Sequence, residues 1–393
     1  MGKKLDYIGV SAFGIKIGVV VPGSDLTALV MEALQKCQRD DLLDDGDTVC
    51  ITESIVARAQ NNFVTVADVA ADTKKKLNLQ PNSHIGVMFP ILSRNRFAVV
   101  LKGLALAVPE GKVVLQLSYP SDEVGNQLIP YDLVESWNLG YQDVIKKEQL
   151  NGQSFRHPIT NIDYIALYEE TVRKTGAEVE TILSNDLLAM AGYDLQGTVV
   201  CSIHERQRIS EKLKAAGMQV ITLQELCSDT ARESWSEWGL LGSNLSAGER
   251  LKLAPKYADE VALDVQKRVK ETLHKNIEVI IFGDGAYKDP STGIYELADP
   301  QPAFGMTPGL SGKYREGLKY KYLVDQMVDA GVDINEIEKE LESKKQASYA
   351  KDSIETEGTT PRKTEDLIAS LSDLISGSAD AATPIVLVKN FLS

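Results

Sequence analysis

Cysteine, histidine and long apolar runs are all scarce in this sequence, and each shortage removes a class of protein. Four cysteines (Cys37, Cys50, Cys201 and Cys227) are scattered through 393 residues with no C-x-x-C pair. Neither a disulfide framework nor a thiolate zinc site is therefore expected. The four histidines are isolated and no H-E-x-x-H occurs, which argues against a histidine-held zinc. No stretch approaches the ~18 consecutive apolar residues of a membrane span; the longest, Phe97 to Val108, is interrupted by Lys102 and Gly103. The first residues, Met1 to Asp6, turn polar at once and lack the apolar core of a signal peptide. Positive charge is also short: 42 Lys and Arg stand against 56 Asp and Glu, a formal net charge of −14. Such a surplus repels phosphate backbones and anionic lipid, so neither nucleic acid nor a membrane is an expected partner. A cytoplasmic protein is expected.

The common catalytic signatures are missing too. There is no Walker A loop, no G-x-G-x-x-G after a strand and no G-x-S-x-G elbow. Trp235 and Trp238, beside Leu240 and Leu241, read as packing residues rather than a stacking platform.

What is present is the composition of an ordinary globular chain, 43% hydrophobic and 25% charged, long enough for two to three domains at ~150 residues each. Tyr7 to Val10 and Ile15 to Val21 read as strands around a loop at Ser11 to Gly14, followed by a helix from about Leu26. Strands are expected at Thr48–Thr52, Val113–Leu117, Val179–Leu183, Thr198–Ile203, Gln219–Leu223, Ile277–Phe282 and Pro384–Val388, and His84 to Phe89 is a further apolar run. Helical periodicity marks Phe97 to Val108, Tyr164 to Thr175, Glu205 to Ala216, Asp259 to His274, Val332 to Ser348 and Thr364 to Ser376. This alternation predicts mixed α/β packing, an α+β fold rather than an all-helical or all-strand one.

Three turns that follow strands or helices carry carboxylates, glycine and small residues, the composition of ligand loops at strand ends. In Ser118 to Asn126, Asp122 and Glu123 can offer hard oxygens to Mg²⁺ or Mn²⁺, and Asn126 can hydrogen-bond a phosphate or base. In Gly283 to Pro290, glycines flank Asp284, and Asp284 and Asp289 bracket Lys288. That mixture suits a site where a metal offsets phosphate oxygens and a lysine holds one of them. Glu296 and Asp299 add carboxylates downstream. Gly377, Ser378, Ala379 and Asp380 can cradle a phosphate through backbone amides. Each loop also has a plain reading as a chain-reversing turn or helix cap.

Taken together these stretches resemble the coenzyme F(420)-0:L-glutamate ligase family, the γ-glutamyl ligases of the deazaflavin cofactor. The resemblance rests on Val10 to Gly14, on Asp45 to Ala59, on the loops at Asp122 and Asp284, and on Asp373 to Phe391. It implies a nucleotide- and metal-dependent enzyme, using GTP or ATP with Mg²⁺ or Mn²⁺. Such an enzyme joins an amino acid, L-glutamate in the family, to a carboxylate acceptor through an acyl phosphate. It also implies an intertwined homodimer. Carried over by position, Ser11, Ala12, Phe13, Gly14, Glu53, Ser54, Arg58 and Asn126 would line the nucleotide, with Gly377 to Asp380 against the phosphates. Asp122, Asp284 and Asp289 would hold metal, and Lys288 and Arg58 would serve as catalytic cations.

Two departures qualify the parallel. The family's Gly-Ile-Asp metal loop is absent at Gly103-Leu104-Ala105, which shifts its role to Asp122, and Ser184-Asn185-Asp186 competes with Asp284 for the second metal position. The expected organisation is a ligase-like core from residues 1–135 and 246–393, with 136–245 as an inserted α/β unit. An insertion beside the nucleotide site would change the acceptor, so a folate- or pterin-like acceptor, or a nucleotide-binding regulator without turnover, are the competing readings.

Overall fold

In the computed structural model the described residues are 7–150, 152–285, 287–295, 297–315, 318–345, 362–376 and 382–392. The fold is α+β, built on two larger sheets; the described residues also form a three-stranded sheet (Asn244–Leu245, Arg250–Lys252, Phe63–Thr65) and a two-stranded one (Tyr314–Arg315, Arg362–Lys363). The first has five strands in the order Ser11–Ile15, Ile385–Lys389, Thr48–Thr52, Glu278–Phe282, Ala303–Met306. Only the Thr48–Thr52 and Glu278–Phe282 pair is parallel; the other neighbours are antiparallel. Period-two patterning assigns each face. Val49, Ile51, Val279, Ile281, Ile385 and Leu387 pack with the helices Leu26–Arg39 and Ala258–Leu273. Cys50, Ile280, Phe282, Val386 and Val388 pack with Ile368 and Ala369 of the helix Thr364–Ser376. Because both faces are covered, these strands read as unbroken apolar runs in the sequence.

The second sheet has six strands, and five of them run parallel: Glu178–Leu183, Lys112–Leu117, His84–Met88, Gly197–Val200 and Val220–Thr222, in that spatial order. The short strand Ile145–Lys146 adds an antiparallel edge. The helices Val66–Leu77, Phe97–Leu106 and Tyr164–Arg173 cover one face. The helix Arg206–Ala215 covers the other, with Leu187 and Met190. The chain starts at a central strand, moves outward one way, then returns to fill the other side. This is a doubly wound order, whose reversal point lies between His84–Met88 and Gly197–Val200.

Two expectations change against this architecture. The strand at the N-terminal end is Ser11–Ile15, whose first four residues were expected as a loop between two strands, because it pairs residue for residue with Ile385–Lys389. Gly14 is required there, since a Cβ would stand 2.9 Å from Thr383. The expected division at residue 136 also cuts a continuous sheet. Strands 84–88 and 112–117 hydrogen-bond with 178–183 and 197–200, so the parallel unit includes residues assigned by sequence to the core. The helix Val66–Leu77, closed by a reciprocal Thr65–Asp68 capping box, had no counterpart among the sequence expectations.

Candidate active site

The Thr48–Thr52 and Glu278–Phe282 strands lie side by side and end together, delivering Glu53 and Gly283-Asp284-Gly285 to the same edge. From the parallel unit, Arg96 arrives at the start of the helix Phe97–Leu106. Its guanidinium forks between two carboxylates, Nη1 donating to Asp299 Oδ1 at 3.1 Å and Nη2 to Asp284 Oδ2 at 3.0 Å. Asp299 Oδ2 accepts the Asp284 amide at 2.8 Å, and Asp373 Oδ2 accepts the Gly285 amide at 2.9 Å. Glu53 Oε1 accepts from Lys252 Nζ, a pair buried at the end of the strand Arg250–Lys252. Glu53, Asp284, Asp299 and Asp373 thus gather at the seam of the two sheets, and ion pairs bring in Arg96 and Lys252.

The glycines around Asp284 serve this cluster. A Cβ at Gly283 would stand 2.4 Å from Asp299 Oδ2, and one at Gly285 would stand 2.8 Å from Ser370 Cα and 3.3 Å from Asp373 Oδ2. Gly242, at φ +69°, leaves room on the other side of Asp299. The close approach that the glycines permit is made by the chain's own carboxylates.

Crowding carboxylates away from water raises the cost of ionising Asp284 and Glu53. Burial, then the charge of Asp299, outweighs Arg96 and pushes the Asp284 carboxyl up to about 7. Burial raises Glu53 as well, against the pull of Lys252. Arg96 shows the converse: burial disfavours its charge, yet Asp299 and Asp284 hold it above its ordinary value. Among the described residues Glu53 Oε2 is buried with no hydrogen-bond partner, although Asp299 and Arg96 are near enough for their charges to act on it. An orphaned carboxylate oxygen, hard oxygen donors and surplus negative charge fit a divalent cation. Among the described residues, no three His, Cys, Asp or Glu side chains stand in ready ligating geometry, and Arg96 lies between two of the donors.

The other sequence candidates fall into three groups. Asp122 is buried and saturated: it accepts N–H bonds from Leu92 (2.7 Å), Val124 (3.0 Å) and the backbone and side chain of Asn126 (both 2.8 Å). Burial pushes its carboxyl up to about 6 despite those donors. Glu123 accepts from Ser202 Oγ and the Ile203 and His204 amides. Both side chains, with Asn185, line a cleft of about 230 Å³ at the C-terminal ends of the parallel strands. Asp186 caps the following turn through Leu188 N. Asp289 forms an exposed turn, accepting from the Ser291 and Thr292 amides, and the Thr292 amide chiefly holds its carboxyl below the usual range. Lys288 lies over the Tyr295 ring, 4.9 Å from its centroid.

The N-terminal candidates lie on other elements. Ser11, Ala12, Phe13 and Gly14 form the strand at one edge of the five-stranded sheet. Ser54 and Arg58 lie on the helix Glu53–Ala59, and Arg58 Nε donates to Val20 O at 2.7 Å. Gly377, Ser378, Ala379, Asp380 and Glu296 lie outside the described residues. The loops at 122 and 284 are nevertheless neighbours: Leu92 N binds Asp122 while Arg96 binds Asp284, and Tyr295 N donates to Val124 O at 2.9 Å. Sequence reasoning missed Arg96, Lys252 and the role of Asp373. The one local signal was the Arg94-Asn95-Arg96 run placed before an apolar helix, where acidic or hydroxyl residues are the usual caps.

A family model described as F420-0:Gamma-glutamyl ligase matches residues 14–390 of the chain. No curated protein matches the sequence. Among solved structures, a chain in the crystal structure of the tetrameric eIF2B-beta2-delta2 complex from C. thermophilum is similar at 13% identity, with a TM-score of 0.24. That match spans 50% of this chain and 48% of the other, about half the length of each.

Proposed function

This chain belongs to the F420-0:gamma-glutamyl ligase family, and from that premise we propose that it is a nucleotide- and divalent-metal-dependent ligase that forms an amide between an amino acid, L-glutamate first among them, and a carboxylate acceptor. The observation that carries the reading is the carboxylate cluster at the ends of the Thr48–Thr52 and Glu278–Phe282 strands, with its orphaned Glu53 oxygen.

The chemistry suits these groups. A free carboxylate is a poor acyl donor, so phosphoryl transfer from GTP or ATP first makes it an acyl phosphate. The neutral amine, having lost one proton to solvent, then attacks the carbonyl carbon; its nitrogen gives up a second proton to solvent, and phosphate leaves with the electrons of the broken C–O bond. Phosphoryl transfer gathers negative charge on the transferred oxygens. Glu53, Asp284 and Asp299 would hold Mg²⁺ or Mn²⁺, which when bound supplies the positive charge that offsets those oxygens. Asp299 and Asp373 brace the Asp284 loop through its amides. Lys252 keeps Glu53 oriented. Asp122 and Asn126 keep the neighbouring loop in place rather than donating to metal, and Lys288 and Asp289 shape the rim. The strand Ser11–Ile15, with Ser54 and Arg58, is the proposed nucleotide side of the site.

On the same reading the enzyme is cytoplasmic, consistent with four free, buried cysteines, and its partners are small molecules and a second copy of the chain. No helix among the described residues is long and apolar enough to cross a membrane. The test is phosphate release with GTP and with ATP, in Mg²⁺ or Mn²⁺, across amino acids and carboxylate acceptors. Release that requires both an amino acid and an acceptor supports a ligase. Tight nucleotide binding with no release under any pairing would point to a regulator instead.

A further inference from the structure

Arg96 occupies a position that local rules disfavour. It stands immediately before the helix Phe97–Leu106, makes no side-chain cap there, and puts a cation at the positive end of the helix dipole. Its charge is met instead across the seam, on carboxylates of the 283–299 loop. The guanidinium does not grip one carboxylate with both arms, the usual strong geometry. It divides its two arms between Asp284 and Asp299, and so fills the space between two of the proposed cation donors. Burial differs across the trio: Asp299 is 3% exposed, whereas Arg96 and Asp284 are 24% and 31% exposed. The arginine therefore has a way out to solvent while Asp299 stays inside.

We propose that Arg96 is a built-in counter-cation: it neutralises the cluster when no metal is present, and an entering divalent cation displaces it from Asp284 and Asp299. The inference rests on the reading of the cluster as a cation site and adds how that site is kept closed. Two like charges cannot share the gap, so metal binding and the Arg96 fork exclude each other. Entry of the cation then frees a guanidinium at the junction of the two sheets. Because Arg96 belongs to the parallel unit and the carboxylates to the five-stranded sheet, its release loosens one tie between them. Metal loading is thereby linked to the fit of the two units.

The test uses the full chain and Mn²⁺ alone, without nucleotide, with bound metal followed by electron paramagnetic resonance and titration calorimetry. Arg96→Gln is expected to bind Mn²⁺ at least about tenfold more tightly than the unaltered protein, a coupling of ordinary size for competing ligands. Arg96→Lys, which keeps the charge but loses the fork, is expected to fall between them. Mn²⁺ should also raise the thermal midpoint of Arg96→Gln by more than it raises that of the unaltered protein. Equal or weaker binding by Arg96→Gln, with Asp284→Asn losing binding, would leave the cation site standing and overturn the role of Arg96. No binding by any form at millimolar Mn²⁺ would remove the cation site itself, and this inference with it. Should circular dichroism show that Arg96→Gln does not fold, Arg96→Lys decides: tighter binding supports the proposal and unchanged binding overturns it.

Discussion

Asp122 and Asp284 look alike in sequence, each an aspartate in a short polar turn after an apolar strand, yet folding treats them in opposite ways. Asp122 is given four N–H donors from its own loop and from Leu92, so its oxygens are used up in holding the chain. Asp284 is given a second carboxylate against its amide, another beside Gly285, and an arginine shared with Asp299. One turn has met its electrostatic needs internally; the other has been loaded with charge that its surroundings only partly offset. Saturated groups stabilise, whereas poorly compensated groups bind.

Substitutions can break this contrast, beginning with the largest effect. Asp284→Asn should lower amide-forming turnover by about a hundredfold or more, the range for removing a group that stabilises transferred charge, while circular dichroism shows an intact fold. Full activity in that variant would take Asp284 out of the site. Asp122→Ala should instead cost about 2–4 kcal/mol in denaturant unfolding, because buried N–H groups lose a charged acceptor, and its Mn²⁺ affinity per folded molecule should not change. If Asp122→Ala abolishes Mn²⁺ binding in folded protein, the two loops are not different in kind.

Gly283→Ala would push a Cβ to 2.4 Å from Asp299 Oδ2 and 2.5 Å from Phe304. It should cost about 1–3 kcal/mol of overpacking and weaken Mn²⁺ binding with it. A neutral result would mean that Asp299 does not need its close approach to the Asp284 amide.

The pH dependence of stability sharpens the contrast further. Asp284 holds its proton up to about 7 when folded but ionises near 3.9 when unfolded. The folded state therefore binds more protons between those values, and stability falls as pH rises from about 4 through about 7. In metal-free buffer, Asp284→Asn should raise the thermal midpoint relative to the unaltered protein at pH 8, by about 1–3 °C, and the gain should vanish near pH 4. A gain that persists at pH 4 would trace to packing rather than ionisation. The smallest effect belongs to Asp289→Ala, an exposed turn residue, expected to leave the thermal midpoint close to that of the unaltered protein and metal dependence unchanged.

How far the site could be read in the sequence differs by residue. Asp284 was legible because glycine on both sides of an acid after a buried strand is a local pattern. Glu53 was legible only through the family-like stretch from Asp45 to Ala59. Asp289 and Lys288 looked equally promising, but the turn uses Asp289 for its own amides, a choice that side-chain spacing does not reveal. Asp299 was offered as an added carboxylate downstream of the Asp284 loop, but Arg96, Lys252 and Asp373 are separated by more than a hundred positions, and nothing in their own surroundings announces that they meet.

The amino-acid order alone determined the classes of element and the mixed α+β character, because period-two and helical patterning are written over a few residues at a time. It also determined the family, through stretches whose residue types recur as a set. Which strands became neighbours was decided only by the tertiary structure. Pairing Thr48–Thr52 with Glu278–Phe282, and Ser11–Ile15 with Ile385–Lys389, joins residues more than two hundred positions apart. The parallel sheet likewise crosses the boundary expected at residue 136. Burial then gave the gathered acids their chemistry. A carboxylate's proton affinity depends on the water and charge around it, and those are set by whatever the fold brings within a few ångströms.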